Sequence, residues 1–230
     1  QNVTGTLTLL EAMAESGVHL IVFSSSAAVY GTPSTALVAE NSPKQPVSPY
    51  GESKLIAEWL LHDQAVATGL AYTCLRYFNV VGSGHPDVFD ASPHNLLPLV
   101  FEALIAGQTP RIFGTDYDTP DGTCVRDYVH VKDLAVSHVA AAQRLADTLS
   151  IEPAYNLGSG TGLSVAQIMT AVAEVTGIDF HAQIAPRRPG DPARIVATGD
   201  LAARDLDWKM RHSLLEIVDS AWRARQRADA

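Results

Sequence analysis

Apolar residues recur at Val3, Leu7, Leu10 and Met13, a spacing of three to four that predicts a helix over 2–16 with Gly17 as its stop. The run HLIVFSSSA (19–27) is too short and too apolar for a helix. It reads as a parallel strand buried on both faces, with polar groups at its C-terminal end. A second helix follows over 49–68, ended by Gly69, and then a second buried strand over 71–82. Helix, strand, helix, strand is the order of a doubly wound α/β sheet.

Beyond residue 82 the pattern is less regular. Loops rich in Gly, Pro, Asp and Ser cover 82–95 and 115–127, around a helix over 95–107 and a short strand at 111–114. Residues 128–147 pass from strand to helix. Residues 154–177 give a strand, a loop and a helix capped by Ser164, and a helix rich in Arg and Ala ends the chain over 213–227.

Composition narrows the function classes. The chain has 230 residues, 47% hydrophobic and 18% charged, with a net charge of −9. That is ordinary globular composition, and the acidic balance gives no field to recruit nucleic acid or an anionic membrane. No apolar run of spanning length is seen. The two cysteines fit a reduced, cytoplasmic protein, and the eight histidines show no metal-ligand spacing, so no metal is expected.

Candidate chemistry concentrates in SPYGESK (48–54). Tyr50 and Lys54, four apart, lie on one helix face. A free phenol titrates near ~10, and an adjacent ammonium favours the phenolate, which equips the pair to exchange a proton with an alcohol. Ser24 to Ser26 end the strand upstream, where ligands of open α/β sheets sit. The residues alone leave the alternatives open: the serines could cap the next turn, and Tyr50 and Lys54 could be a solvated helix face. GSGTG (158–162) lacks the G-x-G-x-x-G spacing and reads as a tight turn before a helix cap.

In order along the chain, NVTGTLTLLEAM, FSSSAAVYG, SPYGESK, LRYFNVVG, NLLP, IFGTDYDTPDGTCVRDYVHVKDLA, YNLGSGTGLSV and APRRPGD resemble the extended short-chain dehydrogenase/reductase superfamily. Within its NAD-dependent epimerase/dehydratases, the resemblance is to the UDP-glucose 4-epimerase branch. It implies an α/β, Rossmann-like doubly wound parallel sheet with a smaller C-terminal substrate domain. Residues 1–81 would belong to the dinucleotide-binding domain and 82–230 mainly to the UDP-sugar-binding domain, with 127–157 returning to the first. It also implies NAD as cofactor, a UDP-hexose substrate, a place in galactose metabolism, and a homodimer built on the helices at 2–16 and 49–68.

By the same resemblance, Tyr50 would take the sugar 4-hydroxyl proton. Lys54 would lower the tyrosine pKa and hold the cofactor ribose, and Ser26 would bridge Tyr50 to the sugar. Ser24, Asn2 and Phe78 would touch the cofactor. Asn79 would contact the sugar or its phosphate, and Asn95 and Leu96 would line the nucleotide site. Arg111, Ile112 and Phe113 would run along the uracil, Arg126 and Arg188 would hold the diphosphate, and Asp191 the uridine ribose. An arginine fork suits phosphate oxygens. From the residues alone, Arg126 could instead pair with Asp127, Arg188 could be part of a solvated turn, Phe78 core, and Asn95 a helix cap.

Two departures qualify the resemblance. The glycine-rich part would lie upstream of Gln1, about 90 to 100 residues by the length of βαβ units, so residues 1–230 alone are expected to hold NAD weakly and to fold less stably. Ile195 stands where the family's side-chain size bears on N-acetylated sugars. Ala27 and Ala28 stand where a 4,6-dehydratase has an acidic pair, which favours the epimerase over that rival, and the presence of Tyr50, Lys54 and Ser26 favours it over a non-catalytic binding module.

Overall fold

The structure is a computed structural model, and it describes residues 1–148 and 151–228. It opens with helix α1 (Asn2–Glu15), strand β1 (Leu20–Ser26) and a 3-10 turn over Ala27–Tyr30. Strand β2 (Leu37–Val38) precedes helix α2 (Pro49–Thr68), which Ser48 caps and left-handed Gly69 closes. Strands β3 (Ala71–Tyr77) and β4 (Asn79–Val81) follow, then helix α3 (Leu96–Ile105) and strand β5 (Arg111–Phe113). Next come β6 (Val125–Arg126), β7 (Tyr128–His130), α4 (Val131–Thr148), β8 (Ala154–Leu157) and β9 (Leu163–Ser164). The chain continues through α5 (Val165–Thr176), β10 (Gln183–Ala185), β11 (Arg194–Ala197), α6 (Asp200–Leu206) and α7 (Leu214–Ala228).

Strands β1, β3 and β8 form a parallel sheet of Rossmann-like type, in that order. The other pairings are β4 with β7, β5 with β10, and the order β2-β11-β6-β9. Residues 71–82, expected as one strand, are two. At Phe78 the chain changes partners: the Phe78 N–H donates to the Leu157 carbonyl, and the next N–H, of Asn79, donates to the Asp127 carbonyl 2.9 Å away. The expected loop 115–127 holds β6 at its end. Strands β2, β10 and β11, the 3-10 turn and α6 had no counterpart in the sequence reading, being too short to show a period.

One apolar core fills the space between α3, α5 and α7, with Phe101 and Trp222 rings 5.1 Å apart. A second, of Leu75, Val129, Tyr155, Leu157 and Trp208, lies behind the parallel sheet.

A row of polar residues crosses that sheet. Ser25, Arg76 and Asn156 are register neighbours on β1, β3 and β8, and all are buried. Glu58 of α2 comes down on the row and takes two hydrogen bonds from Arg76, of 2.9 and 2.6 Å, and one of 2.5 Å from the Ser25 hydroxyl. Arg76 also donates to the Tyr30 hydroxyl, which donates to Asn156. Burial works against the charge on Arg76, but Glu58 and Tyr30 outweigh it and hold the guanidinium above its ordinary range. Burial likewise pushes the Tyr30 phenol up to about 12, against the opposing pull of Arg76.

A second hub is the Asp127 carboxylate, fully buried. It accepts from the N–H groups of Ser159 (2.6 Å), Gly160 (3.2 Å) and Ala197 (3.1 Å). GSGTG is thus a turn clamped on a carboxylate, and a Cβ on Gly158 would fall 2.3 Å from Asp127 Oδ2. Ser164 then caps α5 in a full capping box with Gln167.

His130 stacks on His212 at 3.9 Å, where α4, α7 and Gly82 meet. Its Nδ1 accepts from the Lys132 N–H, so Nε2 carries the proton toward Ser220 Oγ. Burial, and secondarily His212, lower its pKa to about 4 from 6.5. The unfolded chain therefore takes up this proton first. The His130 contribution to stability is full above pH 6.5 and is lost as the pH falls towards 4. The melting temperature is expected to decline across that window, and less steeply in His130→Gln, as calorimetry at stepped pH will show.

Candidate active site

The first turn of α2 closes tightly on the end of β1. Ser48 Oγ accepts from the Gly51 N–H at 3.2 Å, and Pro49 begins the helix. A Cβ on Gly51 would lie 2.4 Å from the Ala28 carbonyl oxygen, so glycine there lets the helix start against the turn that follows Ser26. This contact brings Tyr50 and Ser26 to one cleft.

The cleft has a volume of about 1360 Å³. Ser26, Tyr50, Phe78, Asn79, Asn95, Leu96, Arg111, Ile112, Phe113, Arg126, Arg188 and Asp191 all line it. Asn2, Ser24 and Lys54 stand outside that lining. Asn2 donates to Ser53 Oγ at 2.9 Å on an exposed surface, which ties α1 to α2. The Ser24 hydroxyl is engaged with His138 Nε2 at 2.9 Å. Ser26 does cap the 3-10 turn, accepting from the Ala28 N–H at 3.2 Å, and yet also borders the cleft. Tyr77 and Cys124 line the cleft as well. Neither was a candidate from the sequence, although both lie within the motifs given above. Tyr77 ends β3 beside Phe78, and Cys124 directly precedes β6, two residues before Arg126; that proximity was the available signal.

Beside Tyr50, Lys54 Nζ donates to the Ser24 carbonyl at 2.9 Å and lies 5.8 Å from the Tyr50 ring centre and 5.0 Å from that of Phe23. Burial lowers its pKa. Tyr50 itself is 48% exposed, open to a ligand in the cleft. The Tyr77 phenol is pushed up by burial and by Tyr50, with a hydrogen bond to Ser24 opposing.

Elsewhere in the lining, Arg126 Nη1 donates to the Val125 and Pro192 carbonyls at 2.9 and 2.8 Å, while Nη2 lies 3.6 Å from the Asp191 carboxylate. Asp127 is occupied by backbone N–H groups, so it is not the partner of Arg126. The Arg188 guanidinium lies 4.0 Å over the Phe113 ring. Asn95 precedes α3 without a side-chain cap bond and donates to Asp90 at 2.6 Å. The cleft thus offers a phenol and a hydroxyl together with two arginines and a carboxylate.

The residues present suit the nicotinamide-ribose half of NAD. Lys54 has three N–H donors, of which Ser24 takes one, and the largely buried Phe78 ring forms part of the cleft wall. Among the described residues no group of His, Cys, Asp and Glu could hold a metal ion, and no helix is long and apolar enough to cross a membrane.

Residues 1–158 match the model of the NAD dependent epimerase/dehydratase family. The chain belongs to this family. It is 44% identical over 227 residues to a UDP-glucose 4-epimerase of Halalkalibacterium halodurans, a match that spans 96% of this chain and 67% of that protein. A crystal structure of a UDP-glucose 4-epimerase from Stenotrophomonas maltophila, with bound NAD and formylated UDP-arabinopyranose, superposes with a TM-score of 0.93 at 40% identity. That superposition covers 99% of this chain and 69% of the other. The Bifidobacterium longum UDP-glucose 4-epimerase, in complex with NAD+ and UDP, gives a TM-score of 0.84 at 38% identity, over 98% of this chain and 70% of that one.

Cys124 offers a probe of the cleft. Burial pushes its thiol up, and pushes that of the enclosed Cys74 far higher. Iodoacetamide at pH 8 is expected to modify Cys124 more slowly than a free thiol, and Cys74 only after denaturation, as read by mass spectrometry of the peptides.

Proposed function

We propose that this chain carries the catalytic and substrate-binding residues of a UDP-glucose 4-epimerase, which interconverts UDP-glucose and UDP-galactose through NAD. The observation that carries this reading is one cleft that Ser26, Tyr50, Arg126, Arg188 and Asp191 line together, in a member of this family. The site roles are those expected from the sequence. Tyr50 takes the proton of the sugar 4-hydroxyl, Ser26 orients that hydroxyl, and Lys54 favours the phenolate by its charge. When bound, NAD supplies the hydride acceptor for the sugar C4, with Lys54 and Phe78 on its side of the site.

Arg126 and Arg188 hold the diphosphate, and Asp191 the uridine ribose. Arg111, Ile112 and Phe113 flank the uracil, with Asn79, Asn95 and Leu96 along the sugar phosphate and nucleotide. Tyr50 returns its proton to the same oxygen once the sugar presents its other face. The cleft, of about 1360 Å³, is larger than pockets of about 300–1,000 Å³ that hold drug-sized ligands, which leaves room for a ring to turn. In this reading 1–81 form the cofactor side and 82–230 mainly the substrate side, with 127–157 returning to the first. The return of β8 to the parallel sheet supports that division. Two unpaired cysteines suit a reducing cytoplasm, which cell fractionation checks.

The enzyme is expected to interconvert the two UDP-sugars with no added reductant. Tyr50→Phe should lower kcat by about 10²–10⁴-fold, the range for a positioned acid–base group. UDP should still protect Cys124 of that variant from alkylation. Full activity in Tyr50→Phe would overturn the assignment.

A homodimer belongs to the same proposal. Leu7 and Leu9 on α1, and Trp59 and Val66 on α2, are 46%, 48%, 57% and 77% exposed on two helices packed side by side. Sedimentation should show a dimer that Trp59→Glu converts to monomer.

A further inference from the structure

The end of β1 distributes three consecutive serines to three places. Alternation along a strand sends Ser24 and Ser26 to one face and Ser25 to the other. Ser24 meets His138, Ser26 borders the cleft, and Ser25 points at α2, where its hydroxyl donates to Glu58 Oε1 at 2.5 Å. Glu58 sits on the helix of Tyr50 and Lys54, eight residues beyond the first and four beyond the second. The Ser25–Glu58 bond therefore joins the residue next to Ser26 to the helix that carries Tyr50.

This bond is held on all sides. Arg76, the register neighbour of Ser25, fixes both carboxylate oxygens of Glu58 from the same sheet face. Ser25 is 0% exposed, Glu58 6% and Arg76 4%, so water does not compete for these donors and acceptors. The ion pair alone would fasten α2 to β3. The third bond, from Ser25, adds β1 at the position that sets the height of Ser26 against Tyr50. Close packing of Gly51 on the Ala28 carbonyl then leaves the first turn of α2 no slack to take up a shift.

We propose that Ser25 and Glu58 are positioning residues of the reaction: their hydrogen bond, oriented by Arg76, sets the separation of Ser26 from Tyr50. Neither touches the substrate in this arrangement, and both act through their neighbours. This rests on the epimerase reading for its kinetic arm only.

The test uses the cofactor-loaded enzyme and the variants Ser25→Ala, Glu58→Gln and the double variant, with rates expressed per loaded site. A displacement of about 1 Å can cost about 10²-fold in rate, so kcat should fall about 10-fold in Ser25→Ala and about 100-fold in Glu58→Gln, with KM within about 2-fold. Glu58→Gln leaves one acceptor oxygen for the three donors of Arg76 and Ser25, so the Ser25 bond loses its orientation by Arg76 and the double variant should be no slower than Glu58→Gln. In spectra of protein labelled with [13Cζ]tyrosine, the Tyr50 signal, assigned by its loss in Tyr50→Phe, should move in both single variants. A kcat per loaded site within about 2-fold of the parent, with an unmoved Tyr50 signal and only a lower melting temperature, would reduce the bond to a fold contact and overturn the proposal. Should Glu58→Gln fail to fold, Ser25→Ala decides alone, since it removes a single hydrogen bond. Should the parent show no epimerase activity, the functional reading falls and the Tyr50 signal decides the positioning claim by itself.

Discussion

The structure is organised by a charge that has no access to water. Arg76 lies within a parallel sheet, where removal from solvent costs several kcal/mol per ion, and breaking such a pair costs about 3–5 kcal/mol. That cost is met only because Glu58, Tyr30 and the Glu40 carbonyl leave few of its donors idle. The partners come from α2, the 3-10 turn and the segment after β2, so the requirement of one guanidinium draws three separate stretches of chain onto one face of the sheet. An apolar core tolerates sliding between elements of similar shape. A forked ion pair with a fixed set of hydrogen bonds does not, and this is why α2 has one height on the sheet.

Asp127 does the corresponding work on the other side of the strand break. Three backbone N–H groups from two distant segments converge on its carboxylate. They bring the 158–160 turn and β11 against the strand pair β6 and β9, beside the loop of Arg188 and Asp191. The elements around the cleft are thus tied by two buried acids of opposite style, one paired with a cation and the other satisfied by peptide groups alone.

The helices other than α6 and the strands of the three-stranded parallel sheet were legible because each has a period or an apolar run, and because Gly69 and Ser164 are local cap signals. The strand break at Phe78 was not legible. RYFNVV carries no Gly or Pro to mark a break, and its change of partner depends on Leu157 and Asp127, far away in sequence. The short strands β2, β10 and β11 share that difficulty, since pairing rather than period defines them. For the site, ordered motifs pointed to residues that share one cleft, whereas the outward placement of Asn2 and the engagement of Ser24 with His138 depend on helix and strand faces that a motif does not specify. The polar row of Ser25, Arg76 and Asn156 was invisible for the same reason: its members are neighbours in register only.

The partner change at Phe78 has a mechanical consequence. Tyr77 still belongs to the three-stranded sheet and Asn79 already belongs to the pair β4 and β7, so two sheets are joined in series through one residue. Any rocking of one sheet against the other must twist the backbone there. The ring at that pivot is also part of the cleft wall. A change in the angle between the two sheets would therefore turn a ring of the cleft wall.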